Sequence, residues 1–207
     1  MKIAIIGAGN VGGALAQRWA KAGHQVIIGA RDRNSEKIKR VTEQNSSIKV
    51  KSIDEAVMEA EVILIAASPA AVGEIAKQLG DVTDKVIIDA MNSISSKPAG
   101  FNNTFEALQS LTNSKNVVKC FNSTGFENMA NPKYGNTSAD MFMAGSSLKA
   151  KQVASQLSKD IGFAECYDFG CDDKVALLEQ FALAWINLAI FQKQGRNIAF
   201  KVIKKSL

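Results

Sequence analysis

Six residues near the start of the chain, Gly7-Ala8-Gly9-Asn10-Val11-Gly12, have the spacing of a backbone cradle for a pyrophosphate. They follow the apolar run Ile3-Ala4-Ile5-Ile6 and lead directly into a helical pattern. In that setting Gly7 supplies a tight turn. Gly9 lets the main chain approach the phosphates, and Gly12 lets the helix pack closely on the strand. The N–H groups opening the helix, with its dipole, favour the phosphate charge. Asn10 and Val11 complete the cradle; the alternative is a glycine-rich turn with no ligand.

The next strand pattern, 25–28, ends in Gly29-Ala30-Arg31-Asp32-Arg33. A unit selective for NAD places an acidic residue here, on the ribose hydroxyls. Arg31 instead suits a 2′-phosphate, which a guanidinium binds in a two-pronged, charge-assisted pair. Arg33, Ser35 and Lys37 are close enough to assist, so the expected cofactor is NADP(H). Asp32 is expected to face solvent or cap the following helix. Lys39 and Arg40 are expected to form a solvated helix face.

In open sheets of this kind ligands lie outside the carboxyl ends of the strands. Ala67, Ser68 and Pro69 end one apolar strand and are small enough to lie along the cofactor. Asn92 ends the next. Asn122, Ser123, Thr124, Gly125 and Phe126 follow a third, and their amide, hydroxyl and aromatic groups suit a flat polar acceptor. The competing reading is a loop whose polar groups satisfy local backbone, and it is favoured for Asn128 and Met129.

No residue presents itself as a catalytic acid or base. The single histidine, His24, sits in the turn entering the second strand and reads as structural. Neither tyrosine has a lysine four residues on: Ser138 follows Tyr134 and Cys171 follows Tyr167. Lys119 is expected to snorkel out of its apolar strand. Glu179 and Asn187 are two turns apart and are expected to share a helix face. Cys120, Cys166 and Cys171 have no metal-binding spacing or activating neighbour, so no metal and no nucleophile are expected. Alcohol chemistry is disfavoured. A hydride passed between two planar rings needs less proton handling, and positioning does most of the work.

Placing these groups requires alternating elements. Strand patterns fall at 3–6, 25–28, 48–50, 62–66, 86–89, 116–121, 141–145 and 163–167. Helical patterns fall at 10–22, 36–44, 52–59, 70–79, 104–111 and 148–159, and a long one begins near Asp172. Gly195 marks its end or a kink, and a short amphipathic piece closes the chain. The expected fold is α/β, a Rossmann-type doubly wound, mainly parallel sheet with C-terminal helices packed on it. Residues 1–171 form the nucleotide-binding domain with an extended sheet, and 172–207 a helical segment. The stretch 175–191 is interrupted by Glu179, Gln180 and Asn187 and reads as a helix buried nearly all round, not a membrane span.

At 207 residues the chain suits one domain with a small appendage. A net charge of +5 is mild, and a phosphate ligand accounts for the densest basic stretch, so no nucleic-acid partner is expected. Lys201, Lys204 and Lys205 read as a solvated tail. Three cysteines that cannot all pair suit a reducing cytosol, and Met1-Lys2 leads straight into the first strand with no leader pattern.

Residues 1–33, with the glycine motif and Gly29-Ala30-Arg31, resemble the NADPH-dependent reductases of the deazaflavin coenzyme factor 420. Val118-Lys119-Cys120-Phe121-Asn122-Ser123-Thr124-Gly125 and the tail 185–200 are similar to segments of the same family, bacterial members in the latter case. The resemblance also extends to the cytoplasmic domain of a family of membrane ferric reductases. It implies a Rossmann fold, NADP(H), direct hydride transfer to a deazaflavin co-substrate, and often a homodimer. Other acceptors (free flavin, ferric chelate, quinone or imine) and a non-catalytic NADPH sensor are the alternatives.

Overall fold

The computed structural model describes residues 1–205; Ser206 and Leu207, at the end of the expected helical segment, lie outside them. Eight strands form one sheet: β1 (Lys2–Ile6), β2 (Gln25–Gly29), β3 (Lys49–Lys51), β4 (Val62–Ile65), β5 (Val86–Asp89), β6 (Val117–Cys120), β9 (Met141–Ala144) and β10 (Cys166–Asp168). A two-stranded hairpin, β7 (Lys133–Tyr134) and β8 (Thr137–Ser138), stands apart. The sheet order is β10-β9-β6-β5-β4-β1-β2-β3, and every pairing is parallel except β6 with β9. This is the doubly wound α/β sheet that the alternation predicts. The antiparallel step has a physical cause. Between β6 and β9 the only helix is α6 (Phe126–Ala130), which rises about 7.5 Å, so the chain re-enters the sheet from the end it left.

The helices α1 (Asn10–Lys21), α2 (Glu36–Gln44), α3 (Ile53–Glu59), α4 (Val72–Leu79), α5 (Thr104–Leu111), α7 (Leu148–Asp160) and α8 (Val175–Ile186) cover the two faces. One core layer gathers Leu15, Trp19, Ile38 and Leu157 against Ile3, Ile5, Ile28 and Leu64. The other sets Val57, Ile75, Leu108 and Leu178 against Ala4, Ile63, Ile65 and Ile87. The central strands β4, β5 and β6 are buried at every position, which is why they read as apolar runs broken only by Asp89 and Lys119.

Three expectations are corrected here. The long helix is not buried all round. Val175, Leu178, Glu179, Ala182 and Trp185 face inward, whereas Leu177, Leu188, Ile190 and Phe191 are exposed. A π-helical turn at Asn187–Phe191 ends it, and it puts Glu179 and Asn187 in different environments, buried and exposed respectively. Asp172–Phe191 is long and apolar enough to cross a membrane by length and composition, yet its inner face packs on the sheet. Among the described residues, 193–205 form no amphipathic helix but an irregular strap. Nor is the basic tail simply solvated: Lys201 reaches the buried Asp140 carboxylate at 3.1 Å, and the Val202 N–H donates to it at 2.8 Å.

Candidate functional site

The glycine turn has the geometry its spacing implies. Gly7 has φ +106°, and a Cβ there would lie 2.4 Å from the Ala66 carbonyl oxygen. A Cβ on Gly12 would lie 1.9 Å from the Gly7 oxygen, so α1 seats on β1 only because that residue has no side chain. Gly9 differs: nothing lies within 4 Å of its Cβ position. It is the N-cap of α1, with no capping side chain and no acid in the first turn, so no side chain caps the first N–H groups of the helix. Packing therefore selects glycine at positions 7 and 12, and does not require it at 9.

A cavity of about 550 Å³ runs from this turn across the ends of β2 and β4. Gly7, Arg31, Asp32, Ser35, Lys37, Ala67 and Ser68 line it, together with Ile53 and Ile75. Arg33 and Pro69 are not among its lining residues. Among the described residues, Arg31, Arg33 and Lys37 form no salt bridge. Glu74 also lines the cavity; its hydrogen bond from Lys77 holds its carboxyl below the usual range, with Arg31 adding to the effect. Asp32 accepts from the Asn34 N–H at 3.0 Å, a local turn rather than a helix cap. Ile53, Ile75 and Gln78 had no signal in the sequence as lining residues, because α3 and α4 meet the end of β2 only through tertiary packing.

On the other side of the turn, a groove of about 710 Å³ is lined by Gly9, Asn10, Lys37, Arg40, Arg18 and Phe126. Phe126 thus lies beside the phosphate turn. Its ring is covered by Arg196, 5.4 Å from the centroid, and Arg196 also stacks on Trp185 and pairs with Glu127. Partial burial raises the Glu127 carboxyl, but the Arg196 pair outweighs it and holds that group below its usual range. A Cβ on Gly125 would strike Trp185 at 2.7 Å, so this loop and α8 pack closely here. Ser123 is buried with its hydroxyl toward the Met141 sulfur at 3.8 Å, and the Thr124 hydroxyl accepts from Asn128. Asn128 also bonds the Ile198 carbonyl and the Tyr134 hydroxyl, and Met129 is fully buried, so both serve structure. His24 does as well, held to Asp160 at 2.9 Å.

The ends of β5 and β6 are tied together. Asn92 Nδ2 donates to the Asn122 carbonyl at 2.8 Å, and Asn122 Nδ2 donates to Asn92 Oδ1 at 2.9 Å. One layer below lies Lys119, which does not snorkel out. It is fully buried and donates to Asp89 at 2.9 Å and Thr104 at 3.1 Å, and it pairs with Glu179 of α8. The Thr104 hydroxyl donates to Asp89 at 2.6 Å, and the Ser93 N–H to Glu179 at 3.3 Å. An apolar strand can hold this ammonium because two carboxylates and a hydroxyl converge on it. The sequence offered no hint of the partners, which come from three other elements. Burial pushes the Cys120 thiol well above its usual range, and the neighbouring Cys166 adds to this. Among the described residues there is no metal-binding cluster.

Residues 2–93 match the family described as NADP oxidoreductase coenzyme F420-dependent. The chain is 28% identical to the F420-dependent NADP reductase of Methanothermobacter marburgensis, covering 98% of each protein. It is 34% identical over 100 residues to the glycerol-3-phosphate dehydrogenase [NAD(P)+] of Thermoanaerobacter sp. strain X514, covering 42% of this chain and 30% of that enzyme. It is 27% identical to the metalloreductase STEAP3 of Rattus norvegicus, over 78% of this chain and 32% of that protein. The chain thus spans about a third of the length of these last two relatives. A solved structure described as an F420-dependent NADP-reductase from Arthrobacter sp. FB24 superimposes with a TM-score of 0.84 at 22% identity, covering 99% of this chain and all of that one. That likeness bears out the fold.

Proposed function

We propose that this chain, whose first 93 residues carry the signature of an NADP oxidoreductase family, is an NADP(H)-dependent oxidoreductase whose hydride acceptor is a flavin-like ring, the deazaflavin coenzyme F420 in the first place. The observation that carries the reading is the convergence of Gly7, Arg31 and Lys37 on one cavity. It joins a phosphate turn to two unpaired cations where an acid would reject a 2′-phosphate. NADPH, when bound, supplies the hydride. The chain's own groups do the rest. Gly7, Gly9, Asn10, Val11 and Gly12 hold the pyrophosphate, and Arg31 with Lys37 holds the 2′-phosphate while Arg33 adds long-range charge. Ala67, Ser68 and Pro69 flank the cofactor, and Asn92 braces the nicotinamide end. Asn122 and Phe126, on the loop shaped by Ser123, Thr124 and Gly125, orient the acceptor. No side chain is assigned to move a proton, which fits transfer between rings. Similarity along the whole length to an F420-dependent NADP reductase supports the choice of acceptor.

The exposed apolar face of α8 supports a homodimer; a cytoplasmic location with no nucleic-acid or membrane partner belongs to the same reading. The test is NADPH oxidation at saturating cofactor with and without coenzyme F420. Rapid oxidation only with F420 is expected. Bound NADPH that is oxidised instead by ferric chelates or free flavin would move the acceptor toward that of the metalloreductase relative. Bound NADPH with no turnover on any acceptor would make the protein a sensor.

A further inference from the structure

The paired amides at the ends of β5 and β6 leave one atom over. Asn122 is 5% exposed, and its Oδ1 is buried with no hydrogen-bond partner in the protein. The assignment of oxygen and nitrogen follows from the bonds. Asn92 must turn its Nδ2 to the Asn122 carbonyl, since two oxygens would otherwise face each other. That leaves Asn92 Oδ1 to accept from Asn122 Nδ2, which commits the orientation of Asn122 and leaves its Oδ1 unused. Two other buried polar atoms lack partners among the described residues, Arg18 Nε and Ser158 Oγ. They lie on α1 and α7, and Arg18 lines the groove beside the glycine turn.

The surroundings hold this atom rigidly. Phe121, just before it, is fully buried at φ +61°, a left-handed backbone that non-glycine residues rarely adopt. Its ring meets Trp19 edge-on at 5.4 Å. Lys119, two residues earlier, is locked by Asp89 and Glu179. A buried acceptor left unbonded by the protein is costly and calls for a partner from outside it, an ordered water or a bound group. The phosphate turn follows β1, and Asn92 follows β5, two strands away, roughly 10 Å. With the adenosine end over β2, the reactive rings would extend toward β5 and β6.

We infer that Asn122 Oδ1 is a specificity-determining acceptor for an amide-type N–H on the ring system bound over β5 and β6. This rests on the NADP(H) reading above and names the chemistry recognised there. The donor has two possible sources: the nicotinamide carboxamide, or the imide N–H of a flavin-like acceptor. Calorimetric dissociation constants separate them. If the carboxamide is the donor, the unmodified protein binds NADP⁺ about tenfold more tightly than its 3-acetylpyridine analogue, which has a methyl in place of the amide nitrogen, as one lost hydrogen bond would give. Asn122→Leu then binds both equally. If the acceptor is the donor, the NADP⁺-loaded protein prefers riboflavin to N3-methylriboflavin by a similar factor, and Asn122→Leu loses that preference. The comparisons on unmodified protein stand even if the variant fails to fold. Equal affinities within both pairs, with NADP⁺ still bound, would overturn this inference alone. No NADP⁺ binding at all would overturn it together with the cofactor reading.

Discussion

Arg31 and Lys119 are both cations, and the fold uses them in opposite ways. Arg31 is exposed at the mouth of a cavity and unpaired, so its charge is available to a ligand. Arg31→Ala is expected to weaken NADPH binding by about 1.5–3 kcal/mol, the range for hydrogen bonds to charged groups, and to leave NADH binding nearly unchanged. A calorimetric titration showing equal loss for both cofactors would remove the 2′-phosphate role. Lys119 is fully buried, and its charge is spent inside the protein. Lys119→Met should lower stability by about 3–5 kcal/mol in urea denaturation, because it leaves two carboxylates buried without their cation. Adding Asp89→Asn should recover part of that loss; no recovery would mean that packing, rather than charge, dominates the site.

At the scale of elements, the β1–turn–α1 unit separates folding from binding within six residues. Gly12→Ala drives a Cβ into the Gly7 carbonyl and should cost roughly 1–3 kcal/mol or more through overpacking. The Cβ of Gly9→Val meets nothing within 4 Å, so this variant should melt like the unmodified protein yet lose dinucleotide binding. Thermal denaturation and cofactor titration on the two variants read these effects separately. Retained binding in Gly9→Val would mean that the phosphates lie elsewhere. The C-terminal strap acts at the same scale. Trp185 Nε1 and Asn128 Nδ2 both donate to the Ile198 carbonyl, at 2.7 and 2.6 Å, and Arg196 closes over Phe126. The strap thereby buttresses the loop after β6, to which we assign the acceptor.

For the whole molecule, the notable feature is what α8 leaves uncovered. Phe191 is 65% exposed and Leu177 54%, on a helix whose other face is core. An apolar face of this kind marks an interaction surface. The expected occupant is a second copy of the chain, and light scattering after gel filtration should report a dimer. The double change Leu188→Lys with Phe191→Lys should give a monomer of unchanged fold by circular dichroism. A monomeric unmodified protein would refute the dimer.

Sequence alone determined whatever depends on neighbours along the chain. The apolar runs at β4 and β5 declare buried parallel strands, the glycine spacing declares a tight turn into a closely packed helix, and Arg31 next to Ala30 declares a cation beside small residues. These are local signals, because strand period, turn geometry and side-chain charge act within a few residues. Tertiary structure decided whatever depends on residues far apart meeting. Lys119 looked like a snorkelling lysine because Asp89, Thr104 and Glu179 lie 30, 15 and 60 residues away. The long helix looked wholly buried because composition does not tell which side faces the sheet. The tail looked solvated because Asp140 was not seen to receive it. The unused oxygen of Asn122 appears only once Asn92 has taken up its other bonds, because which polar atom is left over depends on the whole network of partners.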